Sequence, residues 1–277
     1  MLIAPKYKPL IFLSLLLLVW GAVAIFAPGS NSAKKAQFIA FTAAGSTSVQ
    51  PIVEMLAQEY MAAHRNIRIN VQGGGSSSGV KAAQTGTAEL GMASRELKES
   101  EKGLWEFILA YDGIAVVVHP TNTVSDLSLE QIEKIFSGEI SNWSQVGGPD
   151  AAINVINREA GSGTRSAFEE IVLNGKNFVE DAIIQGSTGS VKTSVAMDPN
   201  AIGYVSLASL DDLVKTLLID QVAATNDNIS NKTYPIARPF ILMAKAKPTG
   251  AVAEFLAWLE SDEATQILIE EGLVPVK

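Results

Sequence analysis

Three stretches of the sequence place glycine and small hydroxyl side chains directly before an apolar, helix-like run: AAGSTSV (43–49), GGGSSSGV (73–80) and AGSGTRS (160–166). A helix start leaves its first N–H groups without intrahelical partners and carries about half a positive charge from the macrodipole, which suits it to an anion. Glycine lets the backbone approach a ligand closely, and serine or threonine adds donors. In any one turn the same residues also serve as ordinary caps and turn punctuation. Three of them on one chain, each after a strand-like segment, point to convergence, because loops at the carboxyl ends of strands in an open α/β sheet face a common crevice. The third turn adds fixed charge. Arg158, in NREAGSGTR, can offer a forked, charge-assisted pair to an oxyanion or can pair with Glu159 beside it. Arg165 falls one turn into its helix and reads as a surface or supporting residue.

The residue types narrow the ligand. A nucleotide would call for a phosphate loop ending in Gly-Lys-Ser/Thr, or for Gly-x-Gly-x-x-Gly with an acidic ribose partner. GGGSSSGVK is neither, and its Lys81 lies inside the following helix. Compact donors from several directions suit a small tetrahedral oxyanion. GSSSG (75–79) does satisfy the Gly-x-Ser-x-Gly pattern of a hydrolase nucleophile elbow, with Ser77 as the candidate nucleophile. That arrangement needs a late histidine, whereas the two histidines are His64 and His119. The absence of cysteine excludes thiolate zinc sites, no Asp/His cluster suggests a catalytic metal, and no cofactor is called for. A formal charge of −8 without a basic stripe argues against nucleic acid.

These turns must be held by strands and helices, and the chain alternates the two. QFIAFTA (37–43) is strand-like, VQPIVEMLAQEYMAAH (49–64) has helical spacing with Pro51 in its first turn, and IRINVQ (67–72) is again a strand. VKAAQTGTA continues as a helix ended by Gly86, ELGMAS is a buried strand, and YDGIAVVVHP (111–120) is a longer one. SLEQIEKIFSG, AINVINR, SAFEEIVLNG, AIGYVS and YPIARPFILMAK (234–245) follow, before two last helices in 249–271. SGEISNWSQVGGPDAA is turn-rich and reads as a surface excursion whose Trp143 could pack on the lobe.

Such alternation predicts an α/β fold with mainly parallel sheets flanked by helices. The long strands at 111–118 and 237–244 would each cross between two lobes as a double-strand hinge, with lobe I formed by 35–115 and 240–277 and lobe II by 116–239. Residues 1–34 stand apart. Lys6 and Lys8 precede an apolar stretch over 10–27 and a polar spacer, PGSNSAKK, as in an export segment. It is either a signal peptide cut after Ala22-Val23-Ala24 or a retained membrane anchor, and both place the folded part outside the cytoplasm.

GSTSVQP, GGGSSSGVKAAQTGTAELGMASRELK, YDGIAVVVHP, LSLEQIEKIFSGEISNW, NREAGSGTR, AIGYVS, YPIARPF and GLVPV together resemble one family over nearly the whole exported part. It is the extracytoplasmic solute-binding proteins of phosphate ABC transporters, which have the type II periplasmic-binding-protein fold. The resemblance implies two α/β lobes closing over one dehydrated inorganic phosphate, no catalysis, and delivery to the permease subunits of an ABC importer. It implies as ligand-binding residues Thr47 and Ser48 at the first helix start, Ser76 at the second, Ser94 on the strand between, and Arg158, Ser162, Gly163 and Thr164 at the third. Ser46, Ser78 and Arg95 lie beside these positions.

Two positions depart from the family's pattern. Ser94 stands where well-known members have an aspartate that accepts the proton phosphate keeps and sulfate lacks; a serine oxygen accepts a hydrogen bond but does not repel a fully ionised oxyanion. Asp112 is a candidate replacement acceptor, or a turn partner at its strand start. The family's acid two residues beyond the arginine is Ala160 here, so something else must orient Arg158. Two other functions fit the same residues: a membrane-tethered phosphate sensor, and a secreted phosphate-ester or acyl hydrolase acting through Ser77.

Overall fold

Hydrophobic periodicity sets the first helix and strands. In the computed structural model, which describes residues 38–276, β1 (Ile39–Gly45) leads into α1 (Gln50–Ala63), whose Ile52, Val53, Leu56, Ala57 and Tyr60 form one buried face. β2 (Ile67–Gly73), α2 (Ser76–Thr85) and β3 (Leu90–Ala93) follow, with Gly86 in the left-handed conformation closing α2. β4 (Trp105–Val118) alternates between half-buried and exposed over its first four residues and is buried without interruption from Asp112 to Val118. It thus begins as a one-sided strand and ends covered on both faces.

Next come β5 (Asp126–Leu127), α3 (Leu129–Phe136), β6 (Asn154–Arg158), α4 (Gly163–Phe168), β7 (Ile183–Gln185), α5 (Thr188–Met197) and β8 (Ala201–Ser206). α3 starts in a capping box in which Ser128 and Gln131 satisfy each other's backbone N–H. The chain closes with β9 (Lys215–Thr216), β10 (Leu218–Ile219), α6 (Asn226–Ser230), β11 (Ala237–Ala244), α7 (Gly250–Trp258), α8 (Asp262–Glu270) and β12 (Val274–Pro275).

The main sheet runs β2-β1-β3-β11-β4-β8-β6-β7. It is parallel at both ends, where β1 pairs with β2 and β3 and where β6 pairs with β7 and β8. Through the middle it is antiparallel, because β4 and β11 run against each other and against their outer neighbours β8 and β3. The two crossing strands thereby join two βα layers into one continuous path.

Two lobes with separate cores result. Phe41, Leu56, Leu90, Ala110, Phe240 and Phe255 belong to one; Ile114, Phe136, Phe168, Tyr204 and Ile236 belong to the other. Along β4 the core changes between Ala110 and Ile114, and at β11 between Ile236 and Phe240. Trp143 is fully buried in the second core and donates from Nε1 to the Asn200 carbonyl at 3.0 Å, so the turn-rich stretch around it is anchored to the lobe. Among the described residues no helix is long and apolar enough to cross a membrane. The leader-or-anchor expectation for residues 1–34 lies outside the described residues.

Candidate functional site

The turns after β1, β2 and β6 all leave the carboxyl ends of parallel strands, and they meet. Two groups of hydroxyls form where they do. In the first, the Ser46 hydroxyl donates to Ser94 Oγ at 2.8 Å, the Ser94 amide donates to Ser76 Oγ at 3.1 Å, and the Ser76 and Ser94 hydroxyls lie 3.4 Å apart. Ser46 is held in turn by the amides of Ser48 and Val49, which donate to its Oγ at the start of α1. In the second group Ser48 Oγ shares hydrogen bonds of 3.0 Å with both Thr164 Oγ1 and Thr188 Oγ1. Gly163 and Thr164 join the groups. A Cβ at Gly163 would stand 2.1 Å from Ser76 Oγ and 2.7 Å from Ser94 Oγ, so only glycine lets α4 approach this closely.

Arg158, at the end of β6 and 2% exposed, reaches across both lobes. Its Nε and one terminal nitrogen donate to the two carboxylate oxygens of Glu159 at 2.8 and 2.9 Å. The terminal nitrogens also reach Thr188 Oγ1 at 3.3 Å and Thr47 Oγ1 at 3.2 Å. The two sequence readings of Arg158 therefore describe one arrangement: Glu159 fixes the plane of the guanidinium, and the remaining donors face one hydroxyl from each lobe, Thr188 from its own and Thr47 from the other. Glu159 does the orienting for which Ala160 has no group.

The other expected residues fall around this centre. Ser162 Oγ caps α4 by accepting from the Arg165 amide at 3.2 Å, which leaves its proton to donate. Ser78 is exposed and donates back to the carbonyls of Gly74 and Gly75, as serines early in helices do, and does not join the cluster. Arg95 turns toward Glu96 and Glu101, bonding the Glu101 carboxylate through both terminal nitrogens at 2.6 and 2.8 Å. Asp112 does not face the hydroxyls. Fully buried, it accepts from Nε and a terminal nitrogen of Arg238 at 3.3 and 3.0 Å and from the Ala208 amide at 3.3 Å. Burial pushes its carboxyl up from the ordinary aspartate range, against the pull of Arg238.

Three participants escaped the sequence reading. Thr188 opens α5, a fourth helix start, and the signal for it was present: GSTGSV (186–191) repeats the character of GSTSV (45–49). Asn157, 1% exposed, accepts from the Arg158 amide at 2.7 Å and the Tyr204 hydroxyl at 2.5 Å, bracing the end of β6. Arg238 sits inside β11, where its type alone says nothing of its partners.

Fold and cluster together define a two-lobed receptor whose interlobe centre is rich in hydroxyls and one oriented guanidinium, suited to a small oxyanion. A family model described as a PBP superfamily domain matches residues 27–263. The chain is 35% identical over 241 residues to the phosphate-binding protein PstS of Bacillus subtilis (strain 168), covering 85% of this chain and 80% of that one. It is 30% identical to PstS of Borreliella burgdorferi, over 84% of this chain and 88% of the relative. Among solved structures, one from Clostridium perfringens with bound phosphate is 41% identical with a TM-score of 0.84, over 86% of this chain and all of that one. An ABC-type phosphate transport receptor from Vibrio cholerae is 37% identical with a TM-score of 0.71, over 84% of this chain and 99% of the other. The chain belongs to the PBP superfamily and, within it, to the family of the phosphate-binding proteins PstS.

Proposed function

We propose that this chain captures inorganic phosphate between its lobes and delivers it to the permease subunits of an ABC importer. The observation that carries this reading is the meeting of hydroxyls from both lobes on one buried guanidinium, Arg158. Phosphate oxygens would take over the donors that now serve hydroxyl partners. Thr47, Ser48, Ser76, Ser94, Ser162, Gly163 and Thr164 are the binding set with Arg158, joined by Thr188. Each lobe holds part of the donors, so the anion completes both halves and shifts the population toward the closed form. Burial then strengthens each hydrogen bond by removing competing water. The net charge of −8 does not oppose this, because remote surface charges are screened beyond roughly 8–10 Å while the donors act at contact distance.

The lobes divide at the crossing strands, 35–115 with 240–277 against 116–239, with Ile114 at the boundary already packed in the second core, and residues 1–34 export the chain to the outer side of the cytoplasmic membrane. No bond in the ligand is broken. In support, Ser77 is exposed with no histidine beside it: His64 stacks on Tyr60 and bonds its carbonyl, and His119 bonds Thr121.

Calorimetry on residues 35–277 with phosphate, sulfate, arsenate and molybdate tests the reading. One phosphate site per chain is expected, and no heat with phosphate would reject it. Mass spectrometry of the N-terminus on exported protein separates a released receptor from a tethered one.

A further inference from the structure

The hinge touches the binding cluster at Ser94. β4 and β11 pair in antiparallel register with Asp112 opposite Arg238, flanked by Gly113 opposite Ala237 and Tyr111 opposite Pro239. This is where both strands pass from one core to the other. Arg238 and Asp112 form a buried ion pair with side chains 1% and 0% exposed. The guanidinium does more than close that pair. Its remaining terminal nitrogen donates to the Ser94 carbonyl at 3.0 Å, just past the end of β3. Asp112 in turn accepts from the amide of Ala208, just past β8 and packed against the first core.

Ser94 is consequently gripped at each polar atom. Its amide donates to Ser76 Oγ, its hydroxyl accepts from Ser46, and its carbonyl accepts from Arg238. The first two grips come from helix starts that belong to the binding cluster, and the third comes from the hinge.

Building on the phosphate-binding reading, we propose that Arg238 is a positioning residue that couples the hinge to the phosphate site by holding the Ser94 peptide from beneath. With Arg238 fixed by Asp112 at the strand crossing, the position of Ser94 follows the hinge, and its hydroxyl reaches its binding position in one hinge state. Arg238 touches no ligand in this scheme. Its charge also lies near enough to Arg158 for the two to repel: burial pushes the Arg238 guanidinium below its ordinary range, Asp112 opposes this, and Arg158 adds to the downward push. An anion beside Arg158 relieves that repulsion, so ligand capture and the hinge pair reinforce each other.

The test separates positioning from support of the fold. Asp112→Leu combined with Arg238→Met replaces the ion pair by apolar groups of similar bulk, an exchange that often leaves stability unchanged or raised. The double variant is expected to melt near the parent temperature without ligand, to bind phosphate at least tenfold more weakly by calorimetry, and to show faster amide hydrogen exchange at Ser94, with exchange in β1 and β2 unchanged. Parent-like phosphate affinity in a folded double variant would overturn the proposal, as would unchanged exchange at Ser94. Should that variant fail to fold, Arg238→Lys decides: it keeps a charge for Asp112 but lacks the forked reach to Ser94, so affinity should fall several-fold, and parent affinity again overturns the idea. A parent chain that takes no phosphate would fail the functional reading instead, while Ser94 exchange would still report on the Arg238 contact.

Discussion

Arg158 and Arg238 are both nearly inaccessible, and both lean on a carboxylate, yet the two arrangements do opposite things. Arg158 is held by its chain neighbour Glu159, whose side chain is 30% exposed. Its other donors reach Thr47 and Thr188 at 3.2 and 3.3 Å, longer contacts with hydroxyls that can rotate to new partners. Arg238 is held by Asp112, which has no exposure at all, and its remaining donor goes to a backbone carbonyl that cannot rotate away. A guanidinium facing exchangeable partners is available to a ligand, whereas one facing fixed partners belongs to the scaffold. The difference lies in the partners, since the two side chains are equally buried and chemically identical.

Breaking the scaffold pair should produce the largest effect. Arg238→Met alone leaves the Asp112 carboxylate buried without its counterion, and removing one member of such a pair costs about 3–5 kcal/mol. Chemical denaturation should show that loss with or without phosphate. Arg158→Ala should behave differently. Glu159 is exposed enough to be resolvated, so the fold should lose much less, while phosphate affinity should drop at least tenfold, about 1.4 kcal/mol or more. If the two variants lost stability equally, or if Arg158→Ala bound phosphate as the parent does, the distinction between the arginines would fail.

The same contrast explains what could be read from the chain beforehand. Arg158 sits in a local pattern, strand then Gly-Ser-Gly-Thr then helix, and such patterns announce their chemistry within a few residues. Arg238 owes its role to Asp112, 126 positions away, and to Ser94, 144 away, and no local feature of YPIARPF predicts either. The alternation of strands and helices was legible for a similar reason, being a matter of short-range periodicity. The first half of β4 was not, because WEFILA puts an apolar residue, Ile108, at an exposed position, so the alternation of burial there has no matching alternation in the sequence. β7 has three residues, two of them exposed, and the helix start it feeds went unread with it. The sheet's antiparallel middle follows from strand crossings, which depend on tertiary pairing rather than on composition.

Thr188→Val sharpens the ligand-facing side of the comparison. The replacement keeps the shape and removes the hydroxyl that contacts Ser48 and Arg158. A loss of about 0.5–1.5 kcal/mol in phosphate binding is expected, the usual net value of one hydrogen bond. No change would mean that the fourth helix start supports the cluster without meeting the ligand.

Ser78→Ala marks the lower limit. Ser78 shares a turn with Ser76, yet the two point apart: Ser76 is fully buried against Ser94, whereas Ser78 is exposed and bonds its own preceding turn. Substitutions at such surface positions usually change stability by no more than about 0.5 kcal/mol in either direction. Phosphate affinity measured by calorimetry should match the parent within error. A tenfold loss would show that Ser78 rotates inward when the lobes close on phosphate, and the line between ligand-facing and self-satisfied donors would then have to be drawn from the bound form.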